Sequence, residues 1–178
     1  MRQKVNAEHL ERFMKEIGRA GKKNVRIYLV GGATAVLLGW REATIDIDLK
    51  MVSEVDEILR ALPALKERLE INVELASPDD FIPALPGWEE RSRYIKREGT
   101  VEFFHYDFYA QALAKIERGL NNDMLDVRQM IERGLIKPSR LLDLFSRIED
   151  QIYKYPAVDE KSFRYEVEQV VNEYRESE

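Results

Sequence analysis

The chain has 178 residues, 44% hydrophobic and 34% charged, with no cysteine and a formal net charge of -5. That composition supports a packed core and excludes a disordered or disulfide-stapled polypeptide. It also excludes a nucleic-acid binder that works through bulk positive charge, so any contact with RNA or DNA needs a local basic patch.

No apolar run approaches the roughly 20 residues of a membrane span. The opening residues, Met1, Arg2, Gln3, Lys4, Val5 and Asn6, lack the apolar heart of a signal peptide. The expectation is a cytoplasmic protein with no membrane contact. Leu10, Phe13, Met14 and Ile17 then repeat at the spacing of one helix face, with Asn6 placed as N-cap and Gly18 and Gly21 near the end. Val25–Val30 is a short apolar run rich in β-branched and aromatic residues, which predicts a buried strand broken by Gly31 and Gly32. Residues 33–40 are helix-prone. Ile45, Ile47 and Leu49 alternate with Asp46 and Asp48, the period of a strand with one face in the core and the other presenting both aspartates.

Ser53 is placed as the cap of a helix that Pro63 interrupts, followed by a second short helix to about Leu69. Ile71, Val73 and Leu75 alternate with Asn72 and Glu74 as a third strand. Pro78, Pro83, Pro86 and Gly87 mark a loop, and residues 94–96 and 101–104 flank Glu98 and Gly99 as a hairpin. After His105 four helices are predicted: about 107–118 behind Asp107, 123–133 ending at Gly134, 139–153 and 160–176. The fold class is therefore α+β, a small mixed β-sheet flanked by helices and followed by a C-terminal helical region. The domain reading is an αβ core over 1–106 and a helical region over 107–178, whose first part, 107–135, completes the active site while the rest packs as a cap.

The paired glycines and aspartates carry the chemistry. Nucleotide transfer from a triphosphate requires neutralised phosphate charge, an activated acceptor oxygen and in-line placement, which two magnesium ions can supply. Residues i and i+2 of a strand lie on one face roughly 6.5–7 Å apart, so Asp46 and Asp48 can converge on such ions, and magnesium favours carboxylate oxygen. Gly31 and Gly32, without side chains, let phosphates approach the backbone, and the helix behind them points its amide end at the anion. Thr34 adds a hydroxyl and Arg41 a cation for phosphate. Glu74 has the phase of a third metal-binding carboxylate, with Asp79 and Asp80 as neighbouring acids.

Taken together, Val30-Gly31-Gly32 and Asp46-Ile47-Asp48-Leu49 resemble the signature of the DNA polymerase β-like nucleotidyltransferase superfamily, a hydrophobic residue with Gly-Gly or Gly-Ser, about a dozen residues, then Asp-hydrophobic-Asp. In the second half, Lys115 and Arg118 are neighbours on one helix face and Asp123 and Asp126 on the next, so two cations can face two carboxylates. Over about residues 25–135 the chain looks like the AbiEii-type nucleotidyltransferases of toxin–antitoxin systems, with Lys115 and Asp126 at matching positions and Asp123 as companion. That resemblance does not extend to the last forty residues, and the chain is short for that group. The resemblance implies that Lys115 contacts the triphosphate and that Asp126 orients Lys115 or the nucleotide. It implies magnesium, with ATP or another nucleoside triphosphate as substrate and an RNA 3′ end, especially tRNA, as acceptor; a cognate antitoxin would be the protein partner. A protein-modifying (AMPylating) transferase and a catalytically silent nucleotide- or partner-binding module are the competing readings.

Arg91, Arg93, Lys96 and Arg97, with Trp88 and Tyr94 nearby, are either a nucleic-acid track or a charged hairpin face. His9 and His105 lack the companions of a metal site.

Overall fold

Val25–Val30 (β1) forms the middle strand of the computed structural model, which describes residues 2–53 and 55–177. Among the described residues the sheet has five strands in the order β3-β2-β1-β5-β4, where β2 is Asp46–Ser53, β3 is Asn72–Glu74, β4 is Arg93–Glu98 and β5 is Val101–His105. β1 runs antiparallel to β2 and parallel to β5; β3 is parallel to β2, and β4 and β5 form the predicted hairpin. The sheet is thus mixed, as the α+β reading requires. The chain divides into two compact units, Met1–Ser77 with Ser92–Tyr106, and Pro78–Arg91 with Asp107–Glu178.

In the first unit, α1 (Ala7–Ala20) and α3 (Asp56–Leu69) cover one face of the sheet. Their apolar stripes, Leu10, Phe13, Met14 and Ile17 on one and Ile58, Leu62, Leu65 and Leu69 on the other, share a buried core with Ile27, Leu29, Ile47, Leu49, Val73 and Phe103. Asn6 caps α1 by accepting from His9 N at 3.0 Å, while His9 Nδ1 accepts from Asn6 N at 3.2 Å. His9 is therefore a capping residue. Gly18 cannot carry a side chain, because a Cβ there would stand 2.6 Å from the carbonyl oxygen of Glu98.

Three local expectations need correction. α3 is continuous through Pro63, and Val55, not Ser53, occupies its N-cap position. Proline costs an interior turn about 3 kcal/mol, and burial of four large aliphatic side chains, each worth about 1.5–3 kcal/mol, outweighs it. Ile45 lies just before β2 and Leu75 just after β3, 71% and 56% exposed, so the first strand begins one residue later and the second ends one residue earlier than the pattern suggests.

The second unit is helical. α5 (Phe108–Arg118) begins at Asp107, whose Oδ1 accepts from Tyr109 N at 3.2 Å. It is followed by α6 (Asn121–Glu132), α7 (Pro138–Ile148) with a 3-10 turn over Glu149–Lys154, and α8 (Glu160–Glu173). Phe145 and Phe163 meet edge to face at 4.8 Å between α7 and α8. The segment 78–91, which contains the short α4 (Trp88–Arg91), is tied to this unit. Arg91 pairs with buried Asp107 at 2.7 Å and donates to Pro86 O at 2.7 Å, and the Tyr155 hydroxyl donates to Asp79 O at 3.0 Å.

Candidate active site

At the end of β1 the chain turns sharply. Gly31 has φ 60 and ψ -121, a combination that L side chains rarely adopt, and the next residues enter the seven-residue helix α2 (Gly32–Leu38). β2 runs beside this bend with Asp48 directly opposite Val30. A Cβ on Gly31 would stand 3.7 Å from Asp48 Oδ2, so the carboxylate looks onto the bend. Asp46 lies two residues back on the same face; Ile47 and Leu49 are buried on the other, and both aspartates are half-buried.

Gly32 is required for a different reason. A Cβ there would lie 2.0 Å from Thr44 Oγ1, 2.6 Å from Thr44 Cβ and 3.2 Å from an Arg41 guanidinium nitrogen. Thr44 is itself pinned: its hydroxyl donates to Asp46 O at 3.2 Å, and its backbone exchanges hydrogen bonds with Val5 at 2.7 and 2.9 Å. The bend, Arg41, Thr44 and the first aspartate thus form one packed group. A Gly32→Ala variant is expected to lose about 1–3 kcal/mol through overpacking, read as a drop in thermal midpoint; an unchanged midpoint would show that Thr44 moves freely.

The acidic face continues onto β3, where Asn72 is registered with Asp46 and Glu74 with Asp48. Asn72 Nδ2 donates to Asp46 Oδ1 at 2.7 Å and to Glu74 Oε1 at 3.1 Å. Among the described residues, no group of three or more His, Cys, Asp or Glu side chains is arranged to hold a metal ion. A pair of carboxylates still fits magnesium, which takes one or two from the protein and completes its shell with water and substrate phosphate. The donor set of Asp46 and Asp48, hard oxygens beside a bare backbone turn, is of that kind.

In the helical unit, Lys115 on α5 is buried and its Nζ lies 2.8 Å from Asp126 Oδ2 and 3.6 Å from Asp123 Oδ1, both on α6. Arg118 grips Asp123 with two nitrogens, at 2.7 and 2.5 Å. Burial pushes the Asp123 carboxyl up, but the Arg118 bonds, the charges of Lys115 and Arg118 and the Leu120 amide outweigh it, and its pKa lies below the ordinary value. The four residues expected to face one another do so.

A family model described as "Nucleotidyltransferase of unknown function (DUF6036)" matches residues 8–176. The chain belongs to this family. No curated protein and no solved structure matches the chain. Within this DUF6036 chain, the glycine bend and the aspartate pair lie in the first unit and the Lys115–Asp126 cluster in the second. Among the described residues, no helix is long and apolar enough to cross a membrane.

Two sequence expectations change in this setting. Thr34 is fully buried; its hydroxyl donates to Leu29 O at 3.3 Å and lies 3.0 Å from His105 Nδ1, so it joins α2 to the sheet and does not reach toward phosphate. His105 is buried as well. Burial first, and then the charge of Arg93, lower its pKa to about 4, so its ring stays neutral at neutral pH. α2 is only seven residues long, so its dipole adds little at the bend. The basic stretch is largely paired: Arg91 with Asp107, Lys96 with Glu11 and Glu98, Arg97 with Glu102. It reads as a charged face.

Asn72 and Thr44 take up their contacts with Asp46 only in the assembled structure. Asn72 stood only as the polar partner in an alternating strand, and nothing local reveals that its amide meets residues 26 positions earlier.

Proposed function

We propose that the protein is a magnesium-dependent transferase that moves a nucleoside monophosphate from a nucleoside triphosphate to an acceptor hydroxyl, an RNA 3′ end of tRNA type. The observation that carries this is the Asp48 carboxylate facing the Gly31 bend across the β1–β2 register. Asp46 and Asp48 would hold the metal, and the bend would let the polyphosphate approach the main chain at a place with no side chain to obstruct it. Arg41, beside Gly32, adds positive charge at the bend. A magnesium ion held by these residues would neutralise phosphate charge and favour attack at the α-phosphorus. The acceptor oxygen bonds to that phosphorus, the α–β bridging P–O bond breaks, pyrophosphate leaves with the bonding electrons, and the hydroxyl proton passes to solvent.

The Lys115–Asp126 pair supports the likeness to AbiEii-type toxins by residue type and spacing, and the RNA acceptor follows from that likeness as an analogy. The test is a labelling assay with each α-labelled triphosphate, magnesium, and either total RNA or total protein. Label on RNA is the expected outcome. Label on protein moves the acceptor to a protein hydroxyl, and triphosphate binding without transfer rejects the enzymatic reading.

A further inference from the structure

Asp46, Asp48 and Glu74 place three carboxylates on one face of two neighbouring strands, where they repel. Asn72 stands among them. Its Nδ2 gives one hydrogen to Asp46 Oδ1 and the other to Glu74 Oε1, while its Oδ1 accepts from the Arg2 guanidinium. The amide orientation follows from the partners. An ionised carboxylate cannot donate and an arginine cannot accept, so a flipped amide would lose all three bonds. Arg2 is held in turn by Glu67 Oε1 at 3.4 Å, and the backbone after it by Gln3 N to Glu70 O at 2.8 Å and by the exchange between Val5 and Thr44.

We propose that Asn72 is a positioning residue for the metal, and that Glu74 acts on Asn72 and is not itself a metal ligand. The proposal rests on the reading of Asp46 and Asp48 as the magnesium pair. With Oδ1 of Asp46 committed to the amide, rotation of that carboxylate is restricted before any cation arrives. Partners of metal ligands that fix orientation in this way typically change affinity by about 10–100-fold when removed. Glu74 differs from the half-buried aspartates in being exposed, and its Oε1 takes the second amide hydrogen. The segment 2–5 thereby gains a part in the site through Arg2, although it lies far from Asp46 in sequence.

The experiment measures Mn2+ binding to the full chain by the electron paramagnetic resonance signal of free Mn2+, with no nucleotide present. Asn72→Ala is expected to bind Mn2+ about tenfold more weakly. Glu74→Gln is expected to stay within about twofold of the parent, because the glutamine carbonyl still accepts from Asn72. In the transfer assay Asn72→Ala should need more magnesium yet reach the parent rate at saturation, with its thermal midpoint retained; a damaged fold would lower the plateau instead. Parent-like Mn2+ affinity in Asn72→Ala, or a tenfold loss in Glu74→Gln, overturns the proposal while leaving the transferase reading intact. If the parent chain binds no Mn2+ at millimolar concentration, the magnesium pair itself is refuted and the positioning role falls with it.

Discussion

Asp48→Asn is expected to lower nucleotide transfer by about a thousandfold, the scale of several kcal/mol of metal-assisted stabilisation, with no loss of fold. Asparagine keeps the shape of the side chain and removes the anion. The position is half-buried and faces the Gly31 bend, not the core, so packing beneath β2 is untouched. The paired measurements are label transfer at saturating magnesium and a thermal melt. A variant that keeps transfer within tenfold of the parent would place the reaction elsewhere in the molecule. A variant that melts far below the parent would make Asp48 a structural residue.

The second large effect belongs to the helical unit. Lys115→Met removes the ammonium 2.8 Å from the buried Asp126 carboxylate. Breaking a buried pair in this way costs about 3–5 kcal/mol, whereas replacing both members with apolar side chains is often neutral. The single variant should therefore lose about 10 °C in thermal midpoint, and Lys115→Met with Asp126→Leu should regain most of it. Equal melting of parent and single variant would show that Lys115 is not a stabilising charge and that its burial serves another purpose. Activity of the double variant then reads out any role of the ammonium apart from stability.

Much of the architecture was legible because periodicity and caps are local. The stripe Leu10, Phe13, Met14 and Ile17, the run Val25–Val30 and the caps Asn6 and Asp107 appear where the pattern places them. The helices at residues 108, 121, 138 and 160 follow the expected order, with starts shifted by at most two residues. What was misread depends on tertiary burial. Pro63 looked like a break because local propensity carries no information about the four side chains that hold α3 against the core. Thr34 looked like a phosphate ligand because it follows two glycines, yet residues 32–36 are buried together and its hydroxyl has nowhere to go but inward. At the site, the motif residues could be read from spacing alone. Asn72, Thr44 and Arg2 could not, since each works through a partner brought close only when β2, β3 and the N-terminal segment assemble.

The course of the chain between the two units also limits how the protein can be dissected. Residues 78–91 leave the sheet-bearing unit, join the helical one and return at Ser92 before the final passage after Tyr106. A fragment ending at residue 106 would carry Arg91 without Asp107 and Asp79 without Tyr155, while a fragment starting at 107 would lack the segment those residues secure. Neither fragment keeps either of these contacts. Recombinant work on the sheet-bearing unit needs residues from both units, or a redesign in which a short linker replaces the excursion.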